Sequence, residues 1–426
     1  MLNNYSMQLT LGFEQLYSNN KSVKFYTNLF SELDLSSIED YPRKNHLAGN
    51  KPTSNHALIR SFIVMKSERF AYISDLIDYL SNNPIIAYLC GFSLHSLPKK
   101  DVFYRFIKHF SNATLKSILA KNVATMHSLG LVDFKNILLD STPMFANTSF
   151  NNPKAFKVNK FKDEVSDKDC KCGVHTASND SSNKKFQYYW GYKNHILVDS
   201  KYGLPIFEFT TPANIHDVNF AKKIIPMADN LLHFKDYIKY LICDKGYDSN
   251  DFYEFMKDNF NANVIAPLKS NSKAIKFDGI IPICEAGLTM HKNGTCFRKS
   301  SLRFKFVCPY AYFNSKPCPC NHPKFNKDTK RKGCIVWMHM PNANLRNSLD
   351  RDSKHFKFLY SKRTEIERYN SRFKQLSTER AFTRNINSIS NLTTFAHIVL
   401  SLTAIVSTKL ELPNLIKNPI SLKRIA

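Results

Sequence analysis

No run of eighteen apolar residues occurs anywhere in this chain of 426, which removes the usual signature of a membrane span. The opening MLNNYSMQLTLGFEQLYSNN lacks a basic stretch followed by an apolar one, so no signal peptide is expected. The ten cysteines include no CxxC pair of the kind that builds a zinc ribbon. Without a secretion signal they read as thiols or metal ligands rather than disulfides, and the expected compartment is the cytoplasm, close to the nucleoid. Acids are also scarce: 35 Asp and Glu face 60 Lys and Arg, a net charge of +25.

The remainder is 43% hydrophobic, enough to bury a real core in two or three domains. A surface this cationic repels itself unless a polyanion neutralises it, and nucleic acid is the first candidate. A coding bias toward Lys and Asn is the bland explanation, and charge alone leaves membrane-surface and ribosomal roles open. Distribution favours a track: residues 269–334 carry 14 Lys and Arg against 3 acids, and residues 351–424 carry 14 against 5.

Residues 1 to about 50 are weakly periodic, with a short helix expected near Val23–Leu33. From Asn55 to about Leu131 the pattern is helical: HALIRSFIVMKSERF, a Ser74-capped SDLIDYLSNN, and PIIAYLC opened by Pro84 and closed before Gly91. In LPKKDVFYRFIKHF, Asp101 is placed to cap a helix whose Phe103, Phe106, Ile107 and Phe110 face the core. Tyr104, Arg105 and Lys108 are left on the outer face.

The pattern changes at Lys135. KNILLD is a short apolar run ending in Asp140, read as a buried strand with a carboxylate at its tip, although a helix cap or turn is the ordinary role for such an Asp. A polar insert follows at 147–186. Then YYWGYKNHILVDSKYGLPIFEFTTPANIHD alternates as two long strands around Ser200–Gly203. KYLICDKGYDS is another apolar run ending in an acid, Asp244, and Gly246 lets backbone approach closely there.

Tyr360–Lys374, YSKRTEIERYNSRFK, carries the strongest signal. At about 100° per residue, Tyr360, Arg363, Glu367 and Lys374 fall within an arc of roughly 60° on one helix. Leu359, Ile366, Tyr369, Phe373 and Leu376 form an apolar stripe opposite. The bland reading is a solvated face with an Arg363–Glu367 pair at i,i+4. Tyr, two residues, Arg, three residues, Glu, six residues, Lys resembles the Tyr-Arg-Glu-Lys pattern of bacterial insertion-sequence transposases of the DDE type.

That resemblance covers residues 56–408 and implies several things. Asp140, Asp244 and Glu367 become the catalytic acids, the blocks at Gly191–Lys193 and Pro212–Asp217 match family blocks, and the N-terminal helices resemble a domain that reads the element's ends. The fold implied is α/β, an RNase H-like catalytic core interrupted by a β-rich insertion and preceded by an all-α N-terminal domain. The expected boundaries are 1–131 (helical, DNA-binding), 132–268 (core, first part), 269–345 (basic Cys-rich insertion), 346–412 (core, second part) and 413–426 (basic tail). Phosphodiester transfer needs attacking and leaving oxygens stabilised, which two Mg²⁺ ions held by carboxylates achieve. Asp140 would bridge both ions and Asp244 and Glu367 hold one each, with Mn²⁺ able to substitute. Water then 3′-hydroxyl attack, DNA ends and target DNA as partners, and a homodimer in the synaptic complex are implied by the resemblance. Arg363, Lys374 and Tyr360 would contact phosphates, as would Arg105 and Lys108.

The insertion holds Cys308, Cys318, Cys320, His322 and Cys334, for which a structural zinc site and reduced thiols are the two readings. Trp337 stands where related enzymes place an aromatic that stacks on an unpaired base, against ordinary core packing. ISNLTTFAHIVLSLTAIVSTKLEL is the expected closing helix, too interrupted by polar residues to span a membrane. A catalytically silent DNA-binding regulator and a metal-dependent nuclease without strand transfer are the alternatives to a transposase. If several phosphates are neutralised on binding, affinity for DNA should fall about ten- to a thousandfold from low to physiological salt. Titrating a labelled duplex at several salt concentrations checks this, and a flat response refutes it.

Overall fold

The computed structural model of the protein describes residues 20–41, 52–94, 96–151, 166–176, 186–269, 277–278, 281–284, 286–298, 301–312, 325–326, 331–332, 334–338 and 345–425. Two compact units emerge from its packing, Met1–Cys243 with Lys362–Ala426, and Asp244–Ser361. Both mix helices and strands.

The first unit begins with α1 (Lys21–Ser31), whose cap Asn20 accepts the Ser22 and Val23 N–H groups. Helices α2 (Asn55–Ser67), α3 (Ile73–Asn82), α4 (Pro84–Cys90), α5 (Lys100–His109) and α6 (Asn112–Ser128) follow. Proline opens α4 and Gly91, at φ +106°, closes it. Ser74 and Asp101 are not caps: α3 starts at Ile73 behind Tyr72, and Asp101 sits in the first turn of α5 behind Lys99, where its charge complements the helix dipole. Phe103, Phe106 and Ile107 are buried, while Tyr104, Arg105 and Lys108 are exposed.

Strand β1 (Asn136–Ala146) runs antiparallel to β3 (Phe186–Asp199) and parallel to β5 (Tyr240–Cys243). On its other edge β3 pairs with β2 (Lys171–Thr176) and β4 (Pro205–Pro212). Gly203, at φ +63°, turns β3 into β4. Helix α7 (Asp217–Leu232) lies between β4 and β5 in the chain and packs on both β4 and β1.

In the second unit, α8 (Asn250–Phe260) and β6 (Asn263–Ile265) precede an antiparallel sheet of β7 (His291–Arg298), β8 (Ser301–Val307) and β9 (Ile335–Met338). Phe306, Cys308, Met290 and Cys284 make its small core, with Val336 and Met338 packed against them. Helices α9 (Leu345–Ser348) and α10 (Lys354–Ser361) complete it. Asp248 is the polar centre of this unit: Arg346 donates to both its oxygens, at 2.6 and 2.5 Å, and Lys269 N–H at 3.0 Å. Burial opposes ionisation of Asp248, but those donors and the Arg346 and Arg351 charges outweigh it and hold the carboxyl below its usual range.

The chain returns to the first unit with α11 (Thr364–Gln375), β10 (Arg380–Ala381) parallel to β1, α12 (Ile386–Lys409) and α13 (Pro419–Ile425). Helix α12 is long and apolar enough to cross a membrane, yet its most apolar window is wholly buried inside the protein. It packs on α2, α5, α6 and β4, so the N-terminal helices cluster with the sheet rather than apart from it. Lys423 of α13, Tyr26 of α1 and Tyr79 of α3 all donate to Glu68, which fastens the basic tail to the N-terminal helices.

Gly191 lies opposite Phe145, and a Cβ there would meet the Met144 carbonyl oxygen at 2.0 Å. Backbone cannot yield as a flexible side chain can. Gly191→Ala should therefore destabilise the first unit by at least about 2 kcal/mol, read from denaturant midpoints, and a neutral result would contradict the β1–β3 register.

Lys66 of α2 is buried, with Nζ 3.5 Å from the carbonyls of Leu376 and Ser377 just past the end of α11. Burial lowers its pKa from 10.5 to about 8. The protonated form thus opposes folding below the folded pKa, and the penalty fades as pH rises toward the unfolded value, where the unfolded chain still holds the extra proton. Relative to Lys66→Met, the parent should gain on the order of 2 to 3 kcal/mol between about pH 7.5 and pH 10. Paired urea melts at the two pH values measure it.

Candidate active site

The central strand carries the first acid. Asp140 is the fifth residue of β1 rather than its tip, because β3 stays paired with β1 from Asp199 back to Gly191 and draws Ser141–Ala146 into the strand. It is the other edge that ends early. Neighbour β5 stops at Cys243, opposite Leu139, and β10 pairs only with Phe145 and Ala146. Along that edge Asp140–Met144 has no strand neighbour among the described residues, and α11 packs on β1 instead. Asp140 is half-buried; its Oδ1 accepts the Ser141 N–H at 2.9 Å and its Oδ2 accepts Asn370 Nδ2 at 3.1 Å.

Asn370 sits on α11 one turn beyond Glu367, so one helix presents the third acid and holds the first. The helix is not continuous with Tyr360. Lys362 and Arg363 form a turn between α10 and α11, which leaves Tyr360 in the second unit. The apolar stripe holds: Leu359, Ile366, Tyr369, Phe373 and Leu376 are all buried. Glu365 and Glu367 occupy the first turn of α11, Arg372 and Lys374 the last, both complementary to the helix dipole. Glu367 is 58% exposed and ion-paired with Arg363, four residues earlier. Lys374 lies 3.6 Å from Glu379. Arg372 Nη2 donates to the Gly203 carbonyl at 2.6 Å, and Arg69, in the turn after α2, to Gln375 at 3.2 Å, so turns from the sheet and from the N-terminal helices anchor α11.

Beside β1, Asp217 at the start of α7 accepts Ser141 Oγ at 3.0 Å and Lys193 Nζ at 3.1 Å. His195 is buried and bonded to Thr211 Oγ1 at 2.9 Å, and burial lowers its pKa to about 4. A neutral, satisfied imidazole has a structural role here.

In the second unit Asp244 directly follows β5. Its carboxylate accepts the Gly246 N–H, and a Cβ on Gly246 would stand 2.7 Å from Asp244 Oδ1. The close approach that this glycine permits is thus to the acid itself. Trp337 is 44% exposed, with Lys305 Nζ 6.0 Å from its ring centre, so core packing does not account for it. Cys308 is buried and its N–H donates to the Cys334 carbonyl at 2.9 Å. Cys318, Cys320 and His322 lie outside the described residues. No group of three or more His, Cys, Asp or Glu able to hold a metal ion is found among the described residues.

Asn370 and Asp248 escaped the sequence reading, and Tyr369 enters it only as part of the apolar stripe. Asn370 could have been found from its offset, since i+3 from an acid on a helix shares that acid's face. Asp248 and its arginine Arg346 are too far apart in sequence for any local pattern.

A family model described as "Transposase DDE domain" matches residues 127–402. No curated protein matches. Among solved structures, the cryo-EM structure of the piggyBac transposase synaptic complex with hairpin DNA matches at 11% identity and a TM-score of 0.39, covering 96% of this chain and 82% of that one. The matched segment is well over half of the sequence and contains Asp140, Asp244 and Glu367, and the chain belongs to the DDE-domain transposases.

Proposed function

We propose that this transposase binds the ends of an insertion sequence, cleaves the DNA strand there and transfers it to target DNA. Asp140, Asp244 and Glu367 are the catalytic acids on an RNase H-like core. A central strand with an antiparallel partner on one edge and a parallel one on the other supports that core. The observation that carries the proposal is the Asn370–Asp140 hydrogen bond, which seats the Glu367 helix on the strand that bears the first acid.

The donor set suits Mg²⁺, a hard ion that takes oxygen ligands and retains waters. Asn370 Oδ1 is buried and has no hydrogen-bond partner among the described residues, so an oxygen beside Asp140 is left to receive a ligand or its water. When bound, two ions would stabilise the attacking and leaving oxygens. Asp140 would face both, Asp244 and Glu367 one each, and Mn²⁺ would substitute.

Around the acids, Arg363, Lys374 and Tyr360 would grip phosphates, and Arg105 and Lys108 on the outer face of α5 would hold a duplex. Trp337 would stack on an unpaired base, its exposure and its lysine neighbour supporting that role. The all-α N-terminal region reads the element's end, the Cys-rich insertion takes part of the DNA, and a homodimer pairs two ends near the nucleoid. A zinc ion in the insertion would draw on Cys308, Cys318, Cys320, His322 and Cys334.

Replacing Asp140, Asp244 or Glu367 with Ala should abolish cleavage and leave end binding within about threefold, and double replacements should cost little more than single ones. Glu367→Gln is the sharpest case, nearly isosteric yet a poor Mg²⁺ ligand. Cleavage of terminal DNA by Glu367→Gln at the parent's rate in Mg²⁺ would overturn the assignment. A silent DNA-binding regulator predicts no cleavage by the parent, and a simple nuclease predicts cleavage without joined products.

A further inference from the structure

Behind α11 lies a line of fully buried polar groups that the proposed chemistry leaves unused. The Tyr369 hydroxyl is bonded to His397 Nδ1 on α12. His397 Nε2 is 3.1 Å from Asn194 Oδ1 on β3, and Asn194 Nδ2 donates to Glu208 Oε2 on β4 at 2.7 Å. Thr394 Oγ1 reaches the other Glu208 oxygen at 2.6 Å. Tyr369 is 1% exposed; His397, Asn194, Glu208 and Thr394 are 0%. Burial raises the pKa of Glu208, and the charge of Lys116 on α6, also buried, and the hydrogen bonds from Thr394 and Asn194 act against that rise.

The line has a fixed direction. Asn194 donates its NH₂ to Glu208 and so turns its oxygen, which can only accept, toward His397. His397, kept neutral by burial, then donates from Nε2 and accepts at Nδ1, which leaves the Tyr369 hydroxyl as donor. Its ring is further pinned by stacking on Phe373, 4.5 Å between centres and 6° between planes.

We infer that Tyr369, His397, Asn194 and Glu208 are positioning residues that set the rotation of α11 about its axis and so the placement of Glu367 relative to Asp140. Tyr369 lies about 200° round the helix from Glu367 and Asn370 about 60° from it, so the helix is held from behind by the buried line and in front by Asp140. A turn of about 10° would move a group roughly 6 Å from the axis by about 1 Å. Misplacement of that size costs on the order of a hundredfold in rate. A buried, directional line suits this task because a wrong rotation would leave several groups unpaired at once.

The inference rests on Glu367 being a metal-holding acid, and the tests separate the two. Tyr369→Phe removes only the hydroxyl. Full-length protein would be assayed for nicking of a supercoiled plasmid carrying the DNA that flanks the coding sequence, and for Mn²⁺ binding by calorimetry. The expected result is a turnover lower by about ten- to a hundredfold, a half-saturating Mg²⁺ and a Mn²⁺ Kd each higher by about fivefold, and plasmid binding within about twofold. A lowered Tm with turnover, Mg²⁺ requirement and Mn²⁺ affinity all unchanged would mean a purely structural hydroxyl and overturn it. His397→Gln, which keeps an acceptor and a donor, should recover much of what His397→Leu loses, and equal losses would also overturn it. Should Glu367→Gln nick and bind Mn²⁺ like the parent, the acid assignment fails instead, whatever Tyr369→Phe does.

Discussion

Helix α12 is buried along nearly its whole length, where a polar side chain is costly unless it finds a partner; its asparagines, threonines and histidine do, whereas Ser407 Oγ has none among the described residues. Asn387 and Asn391 donate to the carbonyls of Lys108, Phe110 and Ile107, where α5 ends. Asn122 of α6 donates to Ser401, while Thr394 and His397 reach across to β4 and β3. These bonds convert an otherwise featureless apolar rod into a jig. Its register relative to the N-terminal helices and the sheet is fixed, since sliding by one residue would strand half a dozen buried groups.

The three carboxylates proposed as catalytic are each held by the protein's own groups. Asp140 is held by Asn370 and Ser141 N–H, Asp244 by the N–H of Gly246, Glu367 by Arg363. Each donor is a main-chain group, a side chain on α11 or, for Glu367, a side chain in the turn just before it, which limits the rotamers open to the carboxylates. The Arg363 pair is the bland i,i+4 interaction foreseen for this helix, and it coexists with the exposure a ligand would need.

Much of this was legible in the sequence wherever the cause was local. The apolar runs before Asp140 and Asp244, the turn at Gly203 and the buried stripe of α11 follow from spacing alone, and β1, β5, the β3–β4 hairpin and α11 appear where those patterns lie. Misreadings arose where a distant partner decided. Ser141, Thr142 and Pro143 have turn chemistry, yet a long partner strand keeps them extended. Tyr360–Lys374 has an unbroken helical period because Arg363, at φ −58° and ψ −24°, keeps helical angles within the turn that ends α10. Ser74 and Asp101 are good caps by type, but the chain entered each helix a residue or more earlier. Tyr369, His397, Asn194 and Glu208 come from four elements, and no periodicity announces such a set.

The second unit leaves the first after Cys243 and rejoins it at Lys362. Its first residue is Asp244, and its last stands two places before Arg363. The two junctions of the insertion in the sequence therefore stand at Asp244 and just before the turn that opens α11. A residue inserted or deleted at either junction would fall beside Asp244 or beside the turn before Glu367, so the two junctions tolerate less change in length than a tether elsewhere in the chain would if those residues act as proposed.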